Sequence, residues 1–222
     1  MARRRLNPAL LVAWAASLLL AGCGGDSETR KAAEPFAPGA DLTAIGGTAR
    51  TEKPEVVLRV EARPGDAAIR SAAVTLPASF LVDQTALGNL CSERELEEDD
   101  CAGRKRMGVA RVRSPLYGEA LAGPVYAVSG SGGLPRLAFV LGGPAELLLR
   151  GRIAVQGSRL KAGVEDVPET PMRSFELRID GGPPGYLVVS RDLCRAEALA
   201  HVSFTSHSGE VYAQRLPLTV DC

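Results

Sequence analysis

The chain has 222 residues, 45% of them hydrophobic, and its 26 basic residues are matched by 26 acidic ones. That balance excludes the basic footprint of a nucleic-acid binder. With a single tryptophan, Trp14, placed in an N-terminal segment expected to be removed, it also leaves no tryptophan platform for stacking on sugars.

The N-terminus reads as an export signal. Arg3, Arg4 and Arg5 precede an apolar run over 9–21 that is broken only by Ser17, the charged and apolar regions of a secretory leader. The run is too short for a bilayer about 30 Å thick, which takes roughly 20 apolar residues to span. It ends in Leu20-Ala21-Gly22-Cys23, which resembles the lipobox of bacterial lipoproteins. The resemblance implies cleavage before Cys23, a diacylglycerol on its sulfur and acylation of the new amino terminus. Two or more acyl chains give stable attachment, at about 0.8 kcal/mol per buried CH2. Residues 1–22 are then a signal peptide, and the protein sits on the outer face of the cytoplasmic membrane, held by lipid on Cys23. Cleavage removes three arginines and no acid, so the mature balance is 23 minus 26, or −3.

Residues 24–53 mix Gly, Pro, Ala and charges with only Phe36, Leu42 and Ile45 to bury. They read as a flexible tether after the lipidated cysteine. The other reading is an ordered strand on the domain edge, supported by Leu42 and Ile45.

From Pro54 onward the period is two. Val56, Leu58 and Val60 alternate with charged residues in EVVLRVEA, as a half-buried strand requires. A strand is also expected over 68–76. Residues 82–106 break the pattern: Ser92 with Glu95 forms a capping box, and acids follow in the first turn, where the helix dipole favours them, so a short helix is expected near 92–99. Strands resume over 108–113, 124–129 and 136–141. In ELLLRGRIAVQG, Leu147, Leu149, Ile153 and Val155 share a face; in MRSFELRID the set is Phe175, Leu177 and Ile179. Further strands are expected over 159–165, 186–190 and 199–206. In the last one Tyr212, Leu216, Leu218, Val220 and Cys222 share a parity, and Pro217 marks it as an edge. Glycine and proline clusters at 130–133, 142–144 and 181–185 separate the runs. About ten short strands make residues 54–222 an all-β domain, an antiparallel sandwich or flattened barrel.

Five cysteines are present: Cys23, Cys91, Cys101, Cys194 and Cys222. With Cys23 lipidated, four remain in an oxidising compartment. Four cysteines allow three connectivities; proximity favours Cys91 with Cys101 and Cys194 with Cys222.

Reactive chemistry is thin, and neither a catalytic residue nor a cofactor is assigned. No CxxC pair is present, and His201 and His207 are not spaced as zinc ligands. The run Glu97, Glu98, Asp99, Asp100 lacks the loop pattern of a calcium site and reads as a solvated helix face. The SGSGG sequence holding Ser129 and Ser131 is not a GxSxG elbow, and reads as a hairpin loop.

The order VTLPASFLVDQTALGNLCSE, a second cysteine, GVARVRSPLYG, LAGPVYAV, a proline-punctuated VPETP strand and LPLTVDC resembles an uncharacterised β-rich domain of secreted actinobacterial proteins over residues 74–222. The resemblance implies architecture and brings no catalytic residues. Cys101-Ala102 stands where those domains have Cys-Pro, and one copy stands alone. The leading expectation is therefore a non-catalytic envelope protein presenting a surface to another envelope or extracellular component. A second is a carrier that hides an acyl chain or other apolar ligand between sheets, lined in part by the apolar run LAFVL at 137–141. A third is sugar binding by Tyr117, Tyr126 and Tyr186.

Overall fold

The computed structural model describes residues 35–130, 133–195 and 198–222. The expected export signal, Cys23 and Ser131 lie outside the described residues. Thirteen strands are present: β1 (Gly39–Ile45), β2 (Glu55–Glu61), β3 (Ile69–Thr75), β4 (Phe80–Val82), β5 (Arg106–Arg113), β6 (Leu121–Val128), β7 (Arg136–Leu141), β8 (Leu147–Gln156), β9 (Arg159–Val164), β10 (Ser174–Ile179), β11 (Leu187–Val189), β12 (Leu199–Ser206) and β13 (Val211–Val220). One α-helix, α1 (Glu93–Glu97), lies between β4 and β5.

Eleven strands close into a barrel in the order β1-β13-β12-β3-β9-β8-β7-β6-β5-β10-β2, and β2 returns to β1. All neighbours run antiparallel except β1 and β13, which are parallel. Of the two all-β architectures expected, the barrel is the one found. Alternation sets the wall: Val56 and Val60 of β2, Leu137, Phe139 and Leu141 of β7, and Val202 and Phe204 of β12 turn inward into one core cluster.

Strand β1 corrects the expected tether. Residues 39–45 pair with β2 along their whole length, Leu42 and Ala44 are buried, and Phe36 joins the core. Residues 35–53, expected as tether, therefore belong to the same compact unit as residues 54–222. The inward residues of β1 are Ala40, Leu42 and Ala44, so alanine fills positions where the pattern looks for larger side chains. Beyond β1, the Leu193 and Val189 amides donate to the Thr48 and Glu52 carbonyls, tying 48–53 to the barrel's end.

Strand β13 is a second correction, since it is paired on both sides rather than at an edge. The Leu218 amide donates to Ala198, so its neighbour Pro217 turns its nitrogen towards the β1 side. The β1 register starts only at Leu218. Pro217 thus occupies the last place where a missing N–H costs no ladder bond.

The two ends of the barrel differ. At the end where β2 begins and β10 finishes, β4 and β11 form a separate two-stranded sheet. Phe80, Tyr186 and Val189 are fully buried there and plug the opening. The Tyr186 hydroxyl donates to the Lys105 carbonyl at 3.1 Å, and the Lys105 ammonium stands 4.8 Å from its ring centroid. Burial pushes the Tyr186 phenol up from its usual range. Lys53 pairs with Asp83, and that contact, with the Thr85 hydroxyl and amide, holds the Asp83 carboxyl down to about 2.

The helix is where the capping box placed it. The Glu95 amide donates to the Ser92 hydroxyl at 3.1 Å, and the Ser92 amide to the Glu95 carboxylate at 2.8 Å. Helix α1 lies on the outside of β6 and β7, where Leu96, Tyr126, Val128 and Ala138 surround Cys91 and Cys101. This explains the unbroken apolar run at 137–141. Leu137, Phe139 and Leu141 face the core while Ala138 lies under the helix cluster, with Val140 packed against it. A strand covered on both faces loses its alternation.

Candidate functional site

Both expected disulfides are formed, and they do different work. Cys91–Cys101 spans 5.6 Å between Cα atoms and is buried beneath α1. Cys194–Cys222 spans 5.9 Å, is exposed, and welds the C-terminal end of β13 to the segment after the plug.

The residues singled out for chemistry do not come together. His201 lies half-buried in β12, between buried Ala200 and Val202. His207 lies beyond the strand's end, its imidazole Nε2 2.8 Å from the Val167 carbonyl oxygen. Glu97, Glu98, Asp99 and Asp100 are exposed. Ser129 bonds to the Cys91 carbonyl at 3.4 Å. Among the described residues no three His, Cys, Asp or Glu side chains stand close enough to share a metal ion. The three tyrosines considered for sugar stacking sit apart: Tyr126 under the helix, Tyr186 in the plug, Tyr117 at the barrel's other end.

Among the described residues that other end is open, and a cavity of about 300 Å³ enters the barrel from it. Its walls are inward side chains near the ends of the strands: Val60 of β2, Ala72 of β3, Val112 of β5, Phe139 of β7, Leu149 of β8, Val164 of β9, Phe175 of β10 and Phe204 of β12. Val60, Ala72, Phe139, Val164, Phe175 and Phe204 also line a smaller space of about 70 Å³, which reaches Leu58, Val74 and Leu177. The Phe139 and Phe175 rings, 6.3 Å apart at 58°, stand where the two spaces meet. This corrects one expectation of burial. Phe175 and Leu177 point inward as the pattern requires, yet remain half-exposed because they face open space.

Barrel size gives the physical reason. Eight strands leave an interior that side chains just fill, and the diameter grows with strand number. Eleven strands lined largely by Val, Ala and Leu leave space over. The plug closes one end with bulky side chains, so the unfilled volume collects at the other.

Two loops frame the mouth. Val167, Pro168, Thr170, Pro171 and Met172 form a strap between β9 and β10. One end is held by the Val167 amide donating to the Arg70 carbonyl and by His207, the other by the Arg173 amide donating to Arg113. The β5–β6 loop contributes Ser114 and Tyr117. The polar side chains of the lining are Ser114, Tyr117, Glu146 and Thr170. The Ser114 hydroxyl is occupied, accepting from the Leu116 amide at 3.1 Å. Glu146 is exposed at the rim. Inside is therefore a dry apolar surface, suited to hydrocarbon. A wider depression on the outer face of β2, β10 and β5, about 610 Å³, is polar by contrast. Its charged lining is Arg59, Arg111, Arg113, Arg178, Glu61 and Glu176; Arg59 bonds Glu176 at 2.9 Å, and Arg178 pairs with Glu55 outside the lining.

The run LAFVL, offered as pocket lining, does place Phe139 at the cavity and Leu137 at the smaller space, but no signal in the sequence marked the strap or the size of the cavity. An inward valine reads the same whether its neighbour across the barrel is a side chain or a void.

No protein-family model and no curated protein matches the chain. Among solved structures it is similar to the major pilin subunit BcpA of Bacillus cereus, at 13% identity and a TM-score of 0.38, over 83% of this chain and 40% of that one. It is also similar to a DUF4466 family protein of Parabacteroides merdae, at 10% identity and a TM-score of 0.33, over 82% and 44%. A third likeness is to AggA, the major subunit of aggregative adherence fimbriae type I of Escherichia coli, at 12% identity and a TM-score of 0.21, over 84% and 95%. The chain thus spans about two fifths of the length of the first two.

Proposed function

We propose that this is a non-catalytic, lipid-anchored envelope protein whose barrel takes up an apolar chain, an acyl group or a ligand of similar shape. The observation that carries the reading is the 300 Å³ apolar cavity, open at one end of a barrel whose other end is plugged. Ligand sites start near about 300 Å³ and are mostly apolar with a few polar groups at fixed places. At about 30 Å³ per water-sized group, this one holds roughly ten non-hydrogen atoms. Eight to ten buried methylenes contribute about 6–8 kcal/mol gross, at about 0.8 each. Association costs are subtracted from that, which leaves a reversible carrier rather than a permanent store. Attachment through Cys23 rests on the LAGC sequence and the apolar run before it.

The test is titration with parinaric acid, a polyene fatty acid whose emission rises in apolar surroundings. The wild-type chain should bind it saturably and release it to unlabelled fatty acid. Ala72→Trp, which places an indole in the cavity wall, and Thr170→Trp, which places one at the strap, should both lose the signal while melting as cooperatively as the wild type. Unchanged binding in both variants would refute the carrier. Absence of binding in the wild type would return the domain to the role of a surface-presenting interaction module.

A further inference from the structure

We infer that the open end of the barrel faces the bilayer, so that an apolar chain passes between membrane and cavity without crossing bulk water. This rests on the carrier reading and adds a direction and a partner to it: a phospholipid surface docked at the mouth.

Chain topology supplies the first argument. Strand β1 starts at Gly39, which pairs with Glu61 at the end of β2, next to the cavity residue Val60 and at the end away from the plug. Four residues earlier, the Pro35 carbonyl accepts from the Arg63 guanidinium, just past β2 on the same side. The described chain therefore joins the barrel at its mouth. Residues 24–34 are all that separate Pro35 from Cys23. That length reaches at most about 40 Å when extended. The strands add about 20–30 Å between mouth and plug, at about 3.3 Å per residue. A chain anchored through the proposed lipid on Cys23 therefore enters the barrel at the mouth, and the plug lies a strand length further along it.

The second argument is surface chemistry. The two most exposed large apolar side chains are Val211, at 72%, and Leu116, at 62%. Val211 opens β13 at the mouth end, and Leu116 lies in the β5–β6 loop next to the cavity residue Tyr117. The exposed apolar side chains of the plug end, Val155, Leu81, Leu199 and Ile45, are each less exposed than these two. Val155, 57% exposed on the β8–β9 hairpin, provides an internal control.

The experiment uses tryptophan as a depth reporter, with the wild-type full chain as its background. Leu116→Trp and Val155→Trp are each placed in the full chain, purified from membranes, and reconstituted into phosphatidylcholine and phosphatidylglycerol vesicles with brominated acyl chains. Quenching of Leu116→Trp should exceed that of Val155→Trp several-fold. Equal quenching, the reverse order, or no quenching of either would overturn the inference. Parinaric acid binding, measured on the same samples, separates the two claims. If the probe binds but Leu116→Trp escapes quenching, the carrier stands and its orientation falls; if the probe fails to bind, the carrier falls and takes this inference with it.

Discussion

Removing the exposed bridge between Cys194 and Cys222 tests how the open barrel stays closed at its plugged end. The bridge closes a loop with a sequence separation of 28 and has both cysteines exposed, so its contribution is chain entropy with little packing. In the loop-closure treatment that separation corresponds to about 3.6 kcal/mol at 25 °C. For a domain of this size each kcal/mol moves the midpoint by about 2–4 °C, so Cys194→Ala with Cys222→Ala should lower Tm by roughly 7–14 °C. The other bridge closes a separation of 10, worth about 2.7 kcal/mol by the same treatment. Its cysteines are buried with Leu96 and Tyr126, however, so Cys91→Ala with Cys101→Ala loses packing as well. Far-UV circular dichroism melts of the two double variants, beside the wild type under non-reducing conditions, measure both. A loss well under half of the figure for the exposed bridge would refute the reasoning, because it would mean that the unfolded chain is already confined without the crosslink.

Other outcomes follow from single contacts. Ser92→Ala removes the hydroxyl that accepts from the Glu95 amide and should cost about 1 kcal/mol in a urea melt. Arg104 first, and then Ser92, hold the Glu95 carboxyl down to about 2 from an ordinary 4.5, so its contribution is complete above pH 4.5 and is lost as pH falls towards 2; Glu95→Gln should flatten that part of the acid-stability profile, and an unchanged profile would contradict it. Gly123 faces the β7 backbone so closely that an added Cβ would lie 1.9 Å from the Val140 carbonyl oxygen. Gly123→Ala should therefore destabilise by about 3 kcal/mol or more, whereas Gly118→Ala, with open space around it, should be nearly neutral by the same melt. Tyr186→Phe leaves the Lys105 carbonyl without its donor and should cost about 1 kcal/mol.

Legibility in the sequence followed side-chain size and covering. Strands such as β7 and β12 were fully legible, because their inward positions carry Leu, Phe and Val. Helix α1 was legible because a capping box is a local device that needs no tertiary partner. Strand β1 was legible only as the lesser of two readings, since alanine at positions 40 and 44 gives little amplitude to the alternation and Ile45 is exposed. Its pairing with β13 is also a contact between the two ends of the domain, which no local pattern encodes. Pro217 misled for a related reason: the proline does mark an unpaired flank, but one only as long as the part of β13 that β1 does not reach. For the site, the four disulfide cysteines could be paired by proximity. A pocket partly lined by residues 137–141 was one expectation, but its size and its place at one end could not be read, because vacancy is a property of the closed ring and of strand number, and residues 167–172 acquire their meaning only from where β9 and β10 end.

The central claim is that the barrel holds an apolar chain that is not covalently attached to the protein. Native mass spectrometry of the full chain, purified without denaturation, tests it most directly. The account predicts a one-to-one adduct of acyl-chain mass that dissociates on unfolding and is missing from Ala72→Trp. A wild-type mass equal to that of the covalent species alone, in preparations that keep both disulfides, would contradict it.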